Sequence, residues 1–588
     1  MHIPLNGLWP SAMLWLAAVA AFAQTLPEGA APADQGAAAI ERQRQETAAT
    51  ECQGSNAARC SPQGTIDQTA GPPSRERKVR PISAAALPSE PTMLLREVRF
   101  EGGEGLPRDG LEPIYRPFIG QAVTLADLEE LRYRLTKHYV DQGYLNSGMI
   151  FKPGQTANEG VVVFQIIAGH LSEIRVNGQG RLRASYLTGR LNPDTKAPFN
   201  RNELQERFQR LLQDPLIERL NGTLIPGPEP GTAILDLAVT RARPWELYLR
   251  TDNYRPPSTG SNSLYIGGTL RNLNGFGDAL ELYLGHGYTS EGKEGAIGWA
   301  LPLNARNTRL SLRYDRSDAS PLEEPLDELD IESETRRFEL ALSHPLWETS
   351  RDSLALRLAA SLAINETRLL GIPFSFSEGS VDGESKVAAV RLVQEYTQRS
   401  PERAFALRST ASLGVDALGA TIHAGDIPDS RFFAWLGQGQ AVWRLADRGT
   451  QLILRASIQL AGEPLLALER FAVGGADTVR GYRENTLVGD SGYVFSLEVR
   501  HPLWEGKVFG DTLQQLQLAA FADAGGAWRH GQFSVRDEVA SIGIGAIWTV
   551  QDRLRAECYY GYALEDRPEH TEHDLQDDGI HFRVQADF

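Results

Sequence analysis

Arg480 stands in a glycine-bounded stretch, FAVGGADTVRGYREN at 471–485, and Asp523 in a strand-like one, QLQLAAFADAGG at 515–526. In the second stretch Leu516, Leu518, Ala520, Ala522 and Ala524 alternate with Gln517, Phe521 and Asp523, so an apolar face backs a polar one shared by Phe521 and Asp523. If the first stretch folds back into a polar cavity, the planar guanidinium of Arg480 can pair with the Asp523 carboxylate in bidentate fashion. Such a pair holds two segments together and catalyses nothing.

Other residue groupings carry weaker chemistry. GYTSEGK at 287–293 matches most of a phosphate-binding loop, but Glu294 stands where Ser or Thr is required and a strand follows where a helix is needed. His570, His573 and Asp574 fit a solvated loop better than a metal site. The acidic run from Glu323 to Glu334 reads as a solvated outer loop, because like charges repel and extend the chain. No Ser-His-Asp or Cys-His arrangement stands out, so no catalytic residue, metal or cofactor is expected and the chain is read as a non-enzyme.

The elements that must position Arg480 and Asp523 follow from the rest of the chain. With 588 residues it exceeds one ordinary domain, and a formal charge of -16 argues against nucleic acid, whose phosphates want a basic surface. No nucleotide site is expected either. Residues 1–23 read as a secretory signal, with an apolar stretch from Ala12 to Ala23 and Ala21-Phe22-Ala23 before the cut. Beyond it no apolar run approaches the ~20 residues of a spanning helix, so a membrane role must come from strands.

Residues 24–92 have linker composition, with a good helix-forming segment at 37–53. Cys52 and Cys60 lie there, and an exported chain can oxidise such a pair, which predicts a structural disulfide.

A repeat begins at 93. LREVRFEG at 95–102 is echoed by LSEIRVNG at 171–178, and the offset continues into two capped helices, one from Thr124 and Asp127 and one from Asn200 and Glu203. Two copies of one small α+β domain, 93–169 and 170–243, are expected, each reading strand, short helix, long helix, strand, strand.

From 244 to 588 the texture is alternating. QLILRASIQLA at 451–461 and HFRVQADF at 581–588 put Arg and Asp on one face and apolar side chains on the other. About sixteen such segments, joined by alternately short and long connections, describe a transmembrane antiparallel β-barrel with a wet lumen. Short turns then face the periplasm and long loops the outside, which makes 462–491 a long loop able to fold inward. Pro302, Pro345 and Pro502 are expected to end strands just before periplasmic turns, where a missing ladder donor costs little. A soluble sandwich would need its polar faces outward and no closed, even strand count.

The paired motifs Val479-Arg480-Gly481-Tyr482 and Phe521-x-Asp523-x-Gly525 resemble the signature of the two-partner secretion transporters (TpsB, haemolysin secretion/activation type), within the BamA-type barrel superfamily. The resemblance implies two POTRA-like domains in the periplasm and an outer-membrane barrel in contact with lipid. It also implies an inward-folded loop latched by Arg480 and Asp523, with Gly481 at its tight turn and Tyr482 and Phe521 beside the pair. The implied partner is a large secreted exoprotein, bound unfolded through its N-terminal secretion domain and threaded outward without nucleotide. The family places a pore-plugging helix where 37–53 lies; the residues alone fit a fraying leader helix equally well. A barrel-assembly insertase shares the motifs, and a passive porin shares the barrel.

Overall fold

The computed structural model describes residues 66–67 and 93–588, apart from the short stretches 156–159, 192–195, 289–291, 325, 446–448, 508–511, 534–536, 552, 567–569 and 571. The signal segment, the helix expected at 37–53 and the pair Cys52 and Cys60 lie outside the described residues. Contacts divide the chain into two compact units, one ending at Arg243 and the other running from Pro244 to Phe588.

The first unit holds the repeat. In its first copy Glu97–Gly102 pairs in parallel with Val161–Ile167, which pairs antiparallel with Gly148–Phe151. A short helix, α1 (Glu112–Tyr115), and a long one, α2 (Leu125–Asp141), complete it, and Leu128, Leu131, Leu135 and Tyr139 of α2 face the core at helical spacing. Thr124 and Asp127 form a reciprocal capping box at the start of α2. In the second copy His170–Asn177 runs parallel to Thr232–Arg241, which pairs antiparallel with Ile217–Pro226. Here α3 (Ala184–Leu191) and α4 (Arg201–Leu212) cover the sheet, and Asn200 caps α4 from its side chain.

Corresponding residues of the two copies do the same local work. Glu97 accepts from Arg99 as Glu173 does from Arg175, and Gly102 and Gly178 both take positive φ, +73° and +84°. A Cβ at either glycine would press on a backbone carbonyl, of Ile166 or of Val239. Beside Ile217–Pro226 the second sheet carries one more short strand: Ile66–Asp67 pairs with it in parallel at Gly222 and Thr223.

The second unit is a closed antiparallel barrel of sixteen strands. They are β1 (Trp245–Asp252), β2 (Ser263–Arg271), β3 (Ala279–Gly287), β4 (Lys293–Pro302), β5 (Arg309–Ala319), β6 (Ile331–Glu348), β7 (Asp352–Leu369) and β8 (Glu384–Arg399). The series continues with β9 (Arg403–Val415), β10 (Phe433–Arg444), β11 (Gln451–Ala461), β12 (Ser491–Lys507), β13 (Leu513–Trp528), β14 (Asp537–Val550), β15 (Leu554–Ala563) and β16 (Ile580–Asp587). Closure joins β1 to β16, from Tyr248 beside Asp587 to Asp252 beside Arg583. Past the last pair the Asn253 side chain continues the ladder, donating to the Ile580 carbonyl at 2.9 Å and accepting the Phe582 N–H at 2.8 Å.

Among the described residues no helix is long and apolar enough to cross a membrane; the strands do so. Their outward side chains, such as Leu284, Leu340, Leu407, Leu518 and Ile544, are exposed and apolar, as a lipid-facing wall requires. Two strand ends differ from the sequence expectation. β4 does end on Pro302, but β6 runs past Pro345 to Glu348 and β12 past Pro502 to Lys507. In both, the register shifts between the proline and the tryptophan two residues on. A bulge accommodates the missing N–H without ending the strand.

The phosphate-loop look-alike is a hairpin: Gly287 closes β3 and Lys293 opens β4. The acidic run is not a freely solvated loop. It forms a short turn at Asp327–Leu329, joins β6 at Ile331, and is seated by an apolar cluster of Ala319, Leu326, Ile331 and Phe376.

Candidate functional site

The connection from β11 to β12, residues 462–490, folds into the barrel. Its base is tied to one wall, where Arg391 of β8 donates to Glu469 at 2.6 Å. A small hairpin, Phe471–Val473 against Leu487–Gly489, then carries the chain to its tip. There a Gly475 N–H to Val479 carbonyl bond and a Thr478 N–H to Gly475 carbonyl bond make the turn, with Gly474 and Gly475 at φ +109° and +107°.

At the tip Arg480 meets Asp523 of β13. Its Nε donates to Oδ2 at 2.8 Å and its Nη2 to Oδ1 at 2.9 Å, the bidentate arrangement, and the Arg480 backbone N–H adds a third bond to Oδ2 at 3.2 Å. Arg480 and Asp523 are each only 3% exposed, so this pair is out of bulk water. The guanidinium lies 3.6 Å from the centroid of Phe521 and 4.8 Å from that of Tyr559, a cation–π contact on two rings.

A second carboxylate was missed in the sequence. Arg480 Nη1 donates to Glu498 Oε2 at 2.6 Å, and the other Glu498 oxygen accepts from Arg500 and, at 3.2 Å, from the Tyr559 hydroxyl. Two guanidiniums and two carboxylates thus balance in one buried network, which offsets much of their desolvation. The signal was available: YVFSLEVRHPLW at 493–504 puts Glu498 and Arg500 two apart on the face that also carries Ser496.

The remaining motif residues act by shape and by single hydrogen bonds. Gly481 has φ +94°, and a Cβ there would meet the Gly561 backbone at 2.9 Å; its N–H donates to His581 Nε2 at 3.2 Å. Tyr482 is 1% exposed, and its hydroxyl donates to the Ala540 carbonyl at 2.9 Å and accepts the Glu565 N–H at 3.0 Å. Val479 packs with Val473, Val494, Ala527 and Val539. A Cβ at Gly525 would meet Val473 Cγ1 at 2.6 Å and Val479 Cγ2 at 3.0 Å, so the bare backbone there leaves room for the tip. Of the other sequence candidates, Asp574 accepts the Ser261 hydroxyl, and His573 faces Asp578 at 3.3 Å. Cys558 is a free, exposed cysteine.

The chain is 23% identical over 474 residues to the outer membrane transporter CdiB of Dickeya dadantii, covering 77% of this chain and 79% of that one. It is 21% identical over 462 residues to the heme/hemopexin transporter protein HuxB of Haemophilus influenzae, covering 76% and 78%. The solved structure of CdiB from Escherichia coli superposes with a TM-score of 0.65 at 19% identity, covering 87% of this chain and 93% of that one, a likeness of fold. Residues 93–169 match the ShlB-type POTRA domain. Residues 231–547, more than half of the chain, match the haemolysin secretion/activation protein ShlB/FhaC/HecB, so the chain belongs to that family and is an outer-membrane secretion transporter whose POTRA region stands in the periplasm.

Proposed function

We propose that the chain secretes one large exoprotein from periplasm to cell surface. Relatives named as a hemolysin transporter, a heme/hemopexin transporter and an outer membrane transporter CdiB support the reading. The client arrives unfolded and is held by strand addition at a sheet edge of the first unit, where backbone donors and acceptors read little of its sequence. The Ile217–Pro226 edge is favoured, because a parallel segment, Ile66–Asp67, already pairs there. The client then passes through the barrel extended, and folding outside draws it forward without nucleotide.

The observation that carries the reading is the placement of Arg480, a loop residue from the outer side, bonded to two wall carboxylates inside the barrel. In this reading the loop tip is a latch that keeps the lumen in a transport-competent shape. The test is export: the chain is co-expressed with a candidate exoprotein, with and without residues 93–243, and the medium is assayed. Export that depends on those residues supports a dedicated transporter. No export of any candidate, together with failure of other outer-membrane barrels to assemble on depletion, identifies an insertase instead.

A further inference from the structure

Arg483, three residues beyond Arg480, reaches a different set of partners. Its side chain is 8% exposed. Nε and Nη2 donate to the two oxygens of Asp577 at 2.5 and 2.6 Å, Nη1 donates to Glu323 at 2.6 Å, and Nη2 also reaches the Glu572 carbonyl at 2.7 Å. Glu323 lies in the outer connection 320–330, and Glu572 and Asp577 lie in the outer connection 564–579. The bonds continue. Asp577 accepts the Asp574 N–H at 2.8 Å, and Asp574 accepts the hydroxyl of Ser261, in the outer connection 253–262, at 2.6 Å. Beside it the buried Gln576 accepts the Glu484 N–H at 2.8 Å and donates to the carbonyls of Asn253 and Arg255. One guanidinium on the inward loop thus bonds two other outer connections, and Asp574 and Gln576 tie one of these to a third.

Charge decides what its loss would do. The connection 320–330 carries Glu323, Glu324, Asp327, Glu328 and Asp330 and no cation, and 564–579 carries seven carboxylates against Arg567. Glu323 and Asp577 share the one guanidinium as their counter-ion. Without it two carboxylates are left beside one another as like charges, and the hold between the connections rests on the Leu322 N–H to Ser258 carbonyl bond and on Gln576.

We propose that Arg483 is a positioning residue that clasps the exit. It holds the outer connections closed over the lumen at rest, and passage of the client opens this clasp while Arg480 keeps its hold. The bonds stand on the geometry above; the closing role and its release during passage rest on the secretion reading. The two arginines of the tip therefore have opposite phenotypes: loss of Arg480 impairs secretion, and loss of Arg483 opens the exit and leaves secretion working.

Ser261, 3% exposed beneath Asp574, reports the clasp without a client. In the full chain carrying Ser261→Cys and Cys558→Ser, intact cells are treated with a maleimide polymer too large to pass porins. Arg483→Ala is expected to speed labelling by about tenfold or more, the effect of about 1.4 kcal/mol lost from the closed state, with export within about twofold of the parent. The volume-matched Asp577→Asn and Glu323→Gln are expected to speed it too, and they replace Arg483→Ala if that chain lacks the heat-modifiable migration of a folded barrel. Labelling within about twofold of the parent in the folded variants would overturn the clasp. Fast labelling with export lost as fully as in Arg480→Ala would overturn the division of labour.

Discussion

Glu498 shows how a buried charge network constrains single residues. Arg480 and Arg500 both donate to it, so Glu498→Gln keeps the volume but leaves two guanidiniums to share one neutral amide. A charge-assisted bond is lost on each side, costing about 2 kcal/mol. The expected outcome is weaker secretion with normal barrel assembly, read by export into the medium and by heat-modifiable migration. Gly481→Ala is a steric counterpart: the added methyl meets the Gly561 backbone at 2.9 Å, and the left-handed φ adds about 1–2 kcal/mol of strain. It is expected to expel the tip, which protease access to the loop in intact cells measures; protection like that of the parent would contradict the packing. At the exit, burial pushes the Asp577 carboxyl up, but its bonds from Arg483 and from the Asp574 N–H outweigh that and leave it below the usual carboxylate value. A depressed carboxyl stabilises above its unfolded value of about 3.9 and loses that contribution only as pH falls through the lower folded value. His570 nearby is held below the usual imidazole value by burial and by Arg483, so it stays neutral further into acid. Labelling at Ser261→Cys, taken relative to an exposed reference cysteine, should therefore not rise between about pH 7 and about pH 5.

At the scale of elements, the edge of the Ile217–Pro226 strand, where Ile66–Asp67 pairs at Gly222 and Thr223, is where a client strand is expected to lie in its place. A photo-reactive side chain at Thr223 should capture the client during secretion, and one at Glu173, on the opposite edge strand His170–Asn177, should not. Equal capture at both would remove the preference for this edge. Much of the element order was legible beforehand. Period-two alternation with a polar lumen face, the fixed offset between Glu97 and Glu173, and the cap at Thr124 are local signals written in consecutive residues. The strand ends at Pro345 and Pro502 were not, because whether a proline ends a strand or sits at a bulge depends on the neighbouring strand's register.

Across the whole molecule the legible and the hidden divide along the same line. Arg480 and Asp523 were visible as candidates through their motifs, but Glu498, Tyr559, His581 and Gly561 enter the site from three other strands, and sequence order gives no hint of which strands a loop tip will touch. The acidic 320–330 and 564–579 connections looked independent for the same reason; Arg483 unites them only after the barrel closes. The inward loop is thus fixed along its length, at its base to Arg391 on β8, at its tip to Asp523 on β13 and Glu498 on β12, and beyond the tip to the outer connections through Arg483. Removing one partner of the buried Arg480 pair strands the other and costs about 3–5 kcal/mol, enough to free the tip while the rest of the barrel's ladder stays paired.

The most direct measurement is therefore export of a co-expressed exoprotein by Arg480→Ala, compared with the parent chain at equal levels of heat-modifiable barrel in the outer membrane. The account predicts a folded barrel whose export falls well below that of the parent. Export equal to that of the parent, from an equally assembled barrel, would contradict it.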